Sequence, residues 1–294
     1  MDIQAFVYLI HVIAEQQTWL LPFIVLTCKT SLLIVIAILL TTLLYRSSAN
    51  TRHLVWFALV FALLFFPLFL KWIPGFNITV SENWTYLFEK QAELNQEIGG
   101  QTLLSKIIEL SFSVYVFVVF AGLMSIVAGI IRIAVITRQS VTFNGSSAEK
   151  ILNQTLEDEG LDLSISIRSS NTIKSPVSWG FINHFILLPE SASNWTEDRL
   201  SNVIAHELSH IERFDWLSLI LGRIVLAMYW FNPLVWFAFK KMNEEAELAC
   251  DDAVVLEQDN AEYAQTLVSL AKDAQVHSKT VLLVKAIASS FLGK

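Results

Sequence analysis

Two histidines four residues apart, with a glutamate beside the first, are the residues of this sequence best suited to chemistry. They belong to the run His206-Glu207-Leu208-Ser209-His210. On a helix, His206 and His210 share one face and can hold one zinc ion through ring nitrogens. Glu207 is then placed to act as a general base, which favours hydrolysis. The competing interpretation is a surface helix that carries two histidines without a metal.

A catalytic zinc site needs a third protein ligand, and an acidic segment downstream, 244–252, offers one. Glu247 and Asp251 are one helical turn apart, so one carboxylate can bind the metal while the other fixes a ligand histidine. The other acids of this segment fit a solvated helix face. Asp215 either orients a ligand or caps a helix turn. Cys250 is either a soft ligand or, as we expect, a small buried residue.

The elements that must position these side chains are a helix and a small sheet. Thr196 is a good N-cap and is followed by two acids, which predicts a helix over 197–213. Before it, residues 161–168 alternate between apolar and polar, and two short apolar runs lie at 177–181 and 185–188. We expect a small antiparallel sheet of about three strands.

An apolar stretch, 217–239, separates the two motifs and is charged only at Arg223. If it crossed a membrane, the histidines and Glu247 would lie on opposite sides and could not share a metal. The helix-breaking pair Asn232-Pro233 instead predicts a helical hairpin over 216–247. Such a hairpin is either buried in the domain or dips into the membrane, and it returns Glu247 to the histidines.

The N-terminal half has the composition of a membrane protein. The 294 residues are 54% hydrophobic and 16% charged, against roughly 45–50% and 25% in soluble domains. Segments 22–45, 53–73 and 107–131 each exceed the roughly 20 apolar residues that cross a bilayer. The shorter run in 1–21 predicts an interfacial helix.

Arginines in the loops predict the orientation. Arg46 and Arg52 follow the first apolar segment, and Arg132 and Arg138 follow the third. By the positive-inside rule these ends are cytoplasmic, which makes 74–106 a periplasmic or extracellular loop. We therefore expect a membrane domain over residues 1–131.

The second half is then a cytoplasmic domain over 132–294, and the fold class is an α+β membrane protein with a zincin-like domain. The net charge of −7 argues against nucleic acid as a direct ligand. Two cysteines far apart in sequence do not support a disulfide framework.

A set of motifs spread over most of the chain resembles one family, the integral-membrane gluzincin metallopeptidases typified by the beta-lactam-sensing antirepressors (BlaR/MecR type). In chain order, the motifs are Arg52-His53-Leu54-Val55-Trp56, Ser175-Pro176-Val177-Ser178-Trp179-Gly180-Phe181, Ile186-Leu187-Leu188-Pro189, His206 to His210 with Asp215, Phe231-Asn232-Pro233, and Glu247-Leu248-Ala249-Cys250-Asp251.

The resemblance implies one zinc ion per chain, bound by His206, His210 and Glu247. It implies that Glu207 is the catalytic acid and base and that Asp251 supports a ligand histidine. It also implies that an extended substrate pairs with one strand, whose residues are Val177, Ser178, Trp179, Gly180 and Phe181. The oxyanion stabiliser stays open among five residues: His184, Arg223, Tyr229, Tyr263 and His277.

The resemblance further implies a multi-pass zinc endopeptidase of the bacterial inner membrane. Its substrate is expected to be a cytoplasmic transcriptional repressor or the chain itself, and a homo-oligomer is left open. Penicillin sensors of this family continue into an extracellular binding domain, which we do not expect in this chain, since it ends at Lys294. Two alternatives are a quality-control zinc protease of the membrane and a non-catalytic transducer that keeps the zinc fold.

Overall fold

The computed structural model describes residues 20–69, 103–143, 146–158 and 160–257. Almost all of the expected interfacial helix over 1–21 lies outside these residues. The same holds for most of the loop expected over 74–106, and for Tyr263 and His277.

Three long apolar helices form the N-terminal half, as predicted. They are α1 (Leu20–Leu43), α2 (Ala49–Phe69) and α3 (Leu103–Gln139). Each contains a stretch long and apolar enough to cross a membrane, by length and composition. Many of their large apolar side chains are exposed, which is the pattern of helices that face lipid.

Several helix ends differ from the predicted bounds, and two of these differences matter for the rest of the fold. Helix α2 begins at Ala49, four residues before the predicted start, so Arg52 and His53 lie inside its first turns. Helix α3 continues to Gln139, beyond the predicted end at 131. The extension is apolar on one side, where Ile133 and Ile136 pack against the sheet. The third apolar helix therefore enters the second half of the chain without a break.

The sheet is mixed, which corrects the expectation of an antiparallel one. Its four strands are β1 (Val141–Thr142), β2 (Ile165–Ser170), β3 (Val177–Trp179) and β4 (His184–Pro189), in the order β1-β2-β4-β3. Strand β4 is antiparallel to β3 but parallel to β2, and β1 is antiparallel to β2.

The burial of β4 explains this arrangement. Its residues Ile186, Leu187 and Leu188 are fully buried, so the strand needs cover on both faces. It therefore takes a central position between β2 and β3. The three-residue β3 is left at the edge of the sheet.

Two helices cover the sheet. Helix α4 (Ser146–Asp158) and helix α5 (Glu197–Glu212) close a core that contains Leu152, Ile167 and Ile204, and a 3₁₀ helix (Glu190–Asn194) precedes α5. Thr196 caps α5 as predicted, since its side chain accepts a hydrogen bond from the backbone N–H of Arg199.

Helices α6 (Asp215–Met228) and α7 (Pro233–Glu257) form a hairpin across the predicted break. The side chain of Asn232 explains the break, because it accepts a hydrogen bond from the N–H of Leu234 and so caps α7. With 14 residues, α6 is too short to span a bilayer alone.

The hairpin packs on the apolar N-terminal helices. Tyr229, at the end of α6, donates a hydrogen bond to the carbonyl of Leu63 in α2 at 3.1 Å. Asn232 donates to Ser31 of α1, also at 3.1 Å. The shared core includes Trp56 and Met242. The hairpin therefore packs against the candidate membrane helices, and its entry into the membrane stays a prediction.

Candidate metal centre

Helix α5 brings the two motif histidines together. The rings of His206 and His210 lie 4.9 Å apart between centroids and nearly perpendicular, at 82°. Both lie in the last two turns of α5, where the chain is about to reverse into α6. Glu207, between them in sequence, is buried.

Helix α7 supplies carboxylates to both nitrogens of His206. Oδ1 of Asp251 lies 3.3 Å from Nδ1, and Oε2 of Glu247 lies 4.0 Å from Nε2. The side chain of Glu247 is 62% exposed, whereas that of Asp251 is 34% exposed. One helical turn separates the two acids, so each faces a different edge of the same imidazole.

Asp215 and Cys250 both contact Nδ1 of His210. Nδ1 lies 2.7 Å from Oδ2 of Asp215 and 3.1 Å from Sγ of Cys250. Burial by itself lowers the pKa of His210. The hydrogen bonds to Asp215 and Cys250 and the nearby negative groups outweigh burial, so the pKa is raised well above its ordinary value.

A tight reversal places Asp215 against His210. Phe214, between α5 and α6, adopts the left-handed conformation with φ of 55°, and Asp215 begins α6. The carboxylate of Asp215 also accepts from Arg213 and lies 3.9 Å from Nε2 of His53. Burial favours a raised pKa for Asp215, but the hydrogen bonds from His210 and Arg213 hold it below its ordinary value.

Two residues of this centre, Arg213 and His53, had no predicted role. Arg213 donates to the carbonyl of Ala246 at 2.7 Å and to Sγ of Cys250 at 3.1 Å, so it ties α5 to α7. The sequence signal that could have identified Arg213 is its position, a basic residue three places after His210. His53 appeared only as part of a motif that opens α2.

The run of acids on α7 is not a uniformly solvated face. Glu245 is mostly buried and its Oε2 accepts from Nε of Arg52 at 2.9 Å, which corrects the expectation for this residue. Glu244 does lie on a solvated face, as expected, since its side chain is 40% exposed and pairs with Lys241. Lys241 lowers the pKa of Glu244 through that hydrogen bond.

The donor set fits a metal ion. The ligand atoms of His206, His210 and Cys250 lie within 4.8 Å of one another, and Glu247 adds an oxygen beside His206. Nitrogen, carboxylate and thiolate donors are those that zinc prefers. Two ligands of a tetrahedral zinc ion lie about 3.4 Å apart, so the 4.0 Å between Glu247 and His206 is close to what a shared ion needs.

Strand β3 is an edge strand of the sheet that the described residues form, and it lies against α5. Of the residues expected along a substrate cleft, Val177, Ser178 and Trp179 form the strand, while Gly180 and Phe181 belong to the turn that follows. Gly180 has φ of 124°, and a Cβ atom there would lie 2.0 Å from the carbonyl oxygen of Asn183. The strand therefore ends two residues earlier than expected.

The third apolar helix holds the edge strand in place. Nε1 of Trp179 donates to Oγ1 of Thr137 in α3 at 2.9 Å, and the Trp179 ring stacks on Phe185. Arg168 of β2 donates to Oγ of Ser140, just after the end of α3. The position of the edge strand thus depends on α3.

The candidates for oxyanion stabilisation lie in different parts of the fold. His184 is buried at the start of β4. Arg223 lies over the ring of Phe239, and burial lowers its pKa to about 10. Tyr229 follows the last residue of α6, about 21 Å along the helix axis from Asp215, and burial raises its pKa. The distance along α6 removes Tyr229 from the metal centre.

A family model described as BlaR1 peptidase M56 matches residues 22–291, which is nearly the whole chain. The chain belongs to this family. The resemblance deduced from the motifs is therefore confirmed, and the histidines of α5 lie within the residues that the family model matches.

Three curated relatives agree with this assignment. The chain is 28% identical over 183 residues to the regulatory protein BlaR1 of Bacillus licheniformis, covering 62% of this chain and 30% of the relative. It is 29% identical over 161 residues to BlaR1 of Staphylococcus aureus, covering 53% and 26%. The methicillin resistance mecR1 protein of Staphylococcus epidermidis is 29% identical over 92 residues, covering 31% and 16%. The M56 chain thus aligns with less than a third of each relative's length.

Proposed function

We propose that this M56 peptidase is a membrane-embedded zinc metalloendopeptidase that cleaves a cytoplasmic regulatory protein, or itself, in signal transduction. The observation that carries the proposal is the arrangement of His206 and His210. Each ring turns Nδ1 to a carboxylate, Asp251 and Asp215 respectively, and Nε2 of His206 faces Glu247. Such backing by carboxylates is typical of histidines that bind metal.

His206, His210 and Glu247 would hold one zinc ion. When bound, zinc supplies Lewis-acid polarisation of a scissile carbonyl and activation of water. Cys250 is the competing third ligand. Its sulfur approaches Nδ1 of His210, the nitrogen that Asp215 already takes, so it supports that ring better than it completes a ligand set.

Glu207 would carry the proton during hydrolysis. It takes a proton from the attacking water and delivers it to the leaving amine, the usual work of a positioned carboxylate in peptide cleavage. Its burial on α5, between the two ligand histidines, keeps bulk water from competing for that proton. Asp251 and Asp215 fix the tautomer and the orientation of the two imidazoles.

The outer edge of β3, which pairs with no strand among the described residues, would bind the substrate as an additional strand. An extended peptide pairs with the backbone of Val177, Ser178 and Trp179, and the pairing presents its scissile bond to the neighbouring helix α5. This mode of binding requires an extended, unfolded segment in the substrate. A cytoplasmic repressor with an exposed linker meets that requirement, as does a loop of the chain itself.

The arginines near the ends of α1 and α3 support a cytoplasmic position for the metal centre. Arg46 follows α1, and Arg132 and Arg138 lie towards the end of α3, next to the sheet. These ends are cytoplasmic by the positive-inside rule. The chain is then an inner-membrane protein with its catalytic half inside, where a transcriptional regulator is accessible.

Comparison of cells that express the wild type with cells that express Glu207→Gln tests the proposal. We expect the variant to bind zinc like the wild type and to lose all cleavage, including any of itself. Proteome-wide mapping of new N-termini identifies the substrate. Equal cleavage by both proteins contradicts the assigned mechanism. Cleaved damaged membrane proteins would favour the quality-control alternative, and zinc binding without any cleaved product would favour the transducer.

A further inference from the structure

The first turns of α2 contact both halves of the metal centre through two consecutive residues. Arg52 reaches α7, which carries Glu247 and Asp251, whereas His53 reaches Asp215, which holds His210. The metal centre is thus joined to one candidate membrane helix by an ion pair, and at a second point a buried ring of that helix lies beside Asp215 without a hydrogen bond to it. Neither contact takes part in the hydrolysis proposed above.

The contact to α7 is a shielded ion pair. Nε of Arg52 donates to Oε2 of Glu245 at 2.9 Å, and the two side chains are only 18% and 14% exposed. The same guanidinium donates to the carbonyl of Ser47 at 2.5 Å, just before α2 begins. Because the pair is shielded from water, the attraction between its two charges is stronger than in an exposed ion pair. It fixes α7 two residues before Glu247.

The contact to α6 goes through a buried imidazole. His53 is 6% exposed, and its Nε2 lies 3.9 Å from Oδ1 of Asp215. The other carboxylate oxygen of Asp215 lies 2.7 Å from Nδ1 of His210. The ring of His53 therefore lies on one side of the Asp215 carboxylate, and His210 lies on the other side. A shift of α2 at this level changes the space available to Asp215.

We propose that Arg52 and His53 are positioning residues through which α2 sets the separation between α5, with its two histidines, and α7, with Glu247. The inference rests on the proposed metal centre. It assigns a role to the motif that begins at Arg52, which has none in the proposed hydrolysis. Since both contacts arise from one turn of one helix, a displacement of α2 alters both together. Metal affinity then depends on where α2 lies.

Cobalt binding to the purified full chain in detergent tests this directly. Co²⁺ replaces zinc in nitrogen and oxygen sites, and its visible absorption reports the ligand geometry. We expect Arg52→Gln and Glu245→Gln each to weaken Co²⁺ binding about tenfold, the lower end of effects outside the ligands themselves. Both should also change the visible spectrum.

Reversal of the ion pair separates positioning from simple loss of stability. The double variant Arg52→Glu/Glu245→Arg exchanges the two charges across the same contact, so it should recover most of the affinity and the wild-type spectrum. His53→Asn removes the ring beside Asp215 and should weaken Co²⁺ binding by a similar factor.

Two control variants alter the same helices without touching the centre. Lys241→Gln removes the exposed ion pair with Glu244 on α7, and Leu54→Ala truncates a side chain on α2 that is 63% exposed. Both should bind Co²⁺ like the wild type. Thermal unfolding of every variant identifies any that is globally destabilised.

The results separate the two proposals. Wild-type affinity and spectrum in Arg52→Gln, Glu245→Gln and His53→Asn overturn the positioning role and leave the metal centre intact. Weakened binding in the single variants that the double variant fails to restore also overturns the role of the ion pair. Failure of the wild type to bind Co²⁺ at all overturns both proposals.

Discussion

Asp251 lies 3.3 Å from Nδ1 of His206, on the edge of the ring opposite to the one that Glu247 approaches. A carboxylate at Nδ1 favours the tautomer that keeps the proton there, so that Nε2 can bind a metal. Asp215 stands in the same relation to Nδ1 of His210. Each histidine of the pair therefore has its own acid.

Neutralising these acids should weaken metal binding while the ligands remain. We expect Asp251→Asn and Asp215→Asn each to lower zinc affinity by about 10–100-fold, because the imidazoles lose the charge that orients them. Asp252→Asn is the control, since Asp252 is adjacent in sequence and exposed. Competition with a chromophoric chelator measures the affinities. Equal affinity in all three variants would contradict the proposed support.

The third ligand can be identified by comparing Glu247→Ala with Cys250→Ala. We expect Glu247→Ala to be purified with clearly less than one zinc per chain, whereas Cys250→Ala keeps near-full occupancy because its sulfur lies at Nδ1 of His210. Elemental analysis of the purified proteins gives the occupancies. The opposite result would make Cys250 the ligand and remove Glu247 from the site.

The local signals in the sequence were strong enough to predict the helix of the histidines and the hairpin. Thr196 caps the histidine helix α5, and Asn232 caps α7, the second helix of the hairpin. Both depend on contacts within a few residues. The position of Glu247 beside α5, which the hairpin implied, follows because α6 and the part of α7 up to Glu247 have similar lengths.

Long-range contacts explain what the sequence did not predict. Strand β4 takes the centre of the sheet, between β2 and β3, because it is buried on both faces, and a four-residue apolar run does not specify that position. Arg213 reaches α7 through residues more than thirty positions away, and His53 reaches Asp215 from another helix. No periodicity within α2 or α5 reports such contacts.

Zinc should stabilise the folded chain measurably. A ligand that binds only the folded state adds about 2.7 kcal/mol at a hundred times its Kd. We therefore expect chelation to lower the Tm in detergent and abolish cleavage, with both restored by zinc. His206→Ala should show no zinc-dependent change in Tm. A chelator-resistant activity would contradict a zinc mechanism.

The hydrogen bond between Trp179 and Thr137 should couple the edge strand to α3. Trp179→Phe and Thr137→Val each remove one partner of the 2.9 Å contact. We expect each to cost about 1 kcal/mol of unfolding free energy and the double variant to cost less than the sum. Denaturant unfolding of the four proteins completes the cycle, and strictly additive effects would show that the contact contributes nothing.

Gly180 should be the less replaceable of two glycines with positive φ. In Gly180→Ala the new Cβ would lie 2.0 Å from the carbonyl oxygen of Asn183, so the turn after β3 must change. Gly160 has φ of 65°, and a Cβ atom there would meet no atom of the described residues within 4 Å. Gly160→Ala should therefore cost only the roughly 1–2 kcal/mol of a left-handed residue, and thermal unfolding should show the larger loss for Gly180→Ala. Cleavage should fall in that variant alone, since the turn ends the strand that we propose receives the substrate; equal losses in both variants would mean that the turn can relax without disturbing β3.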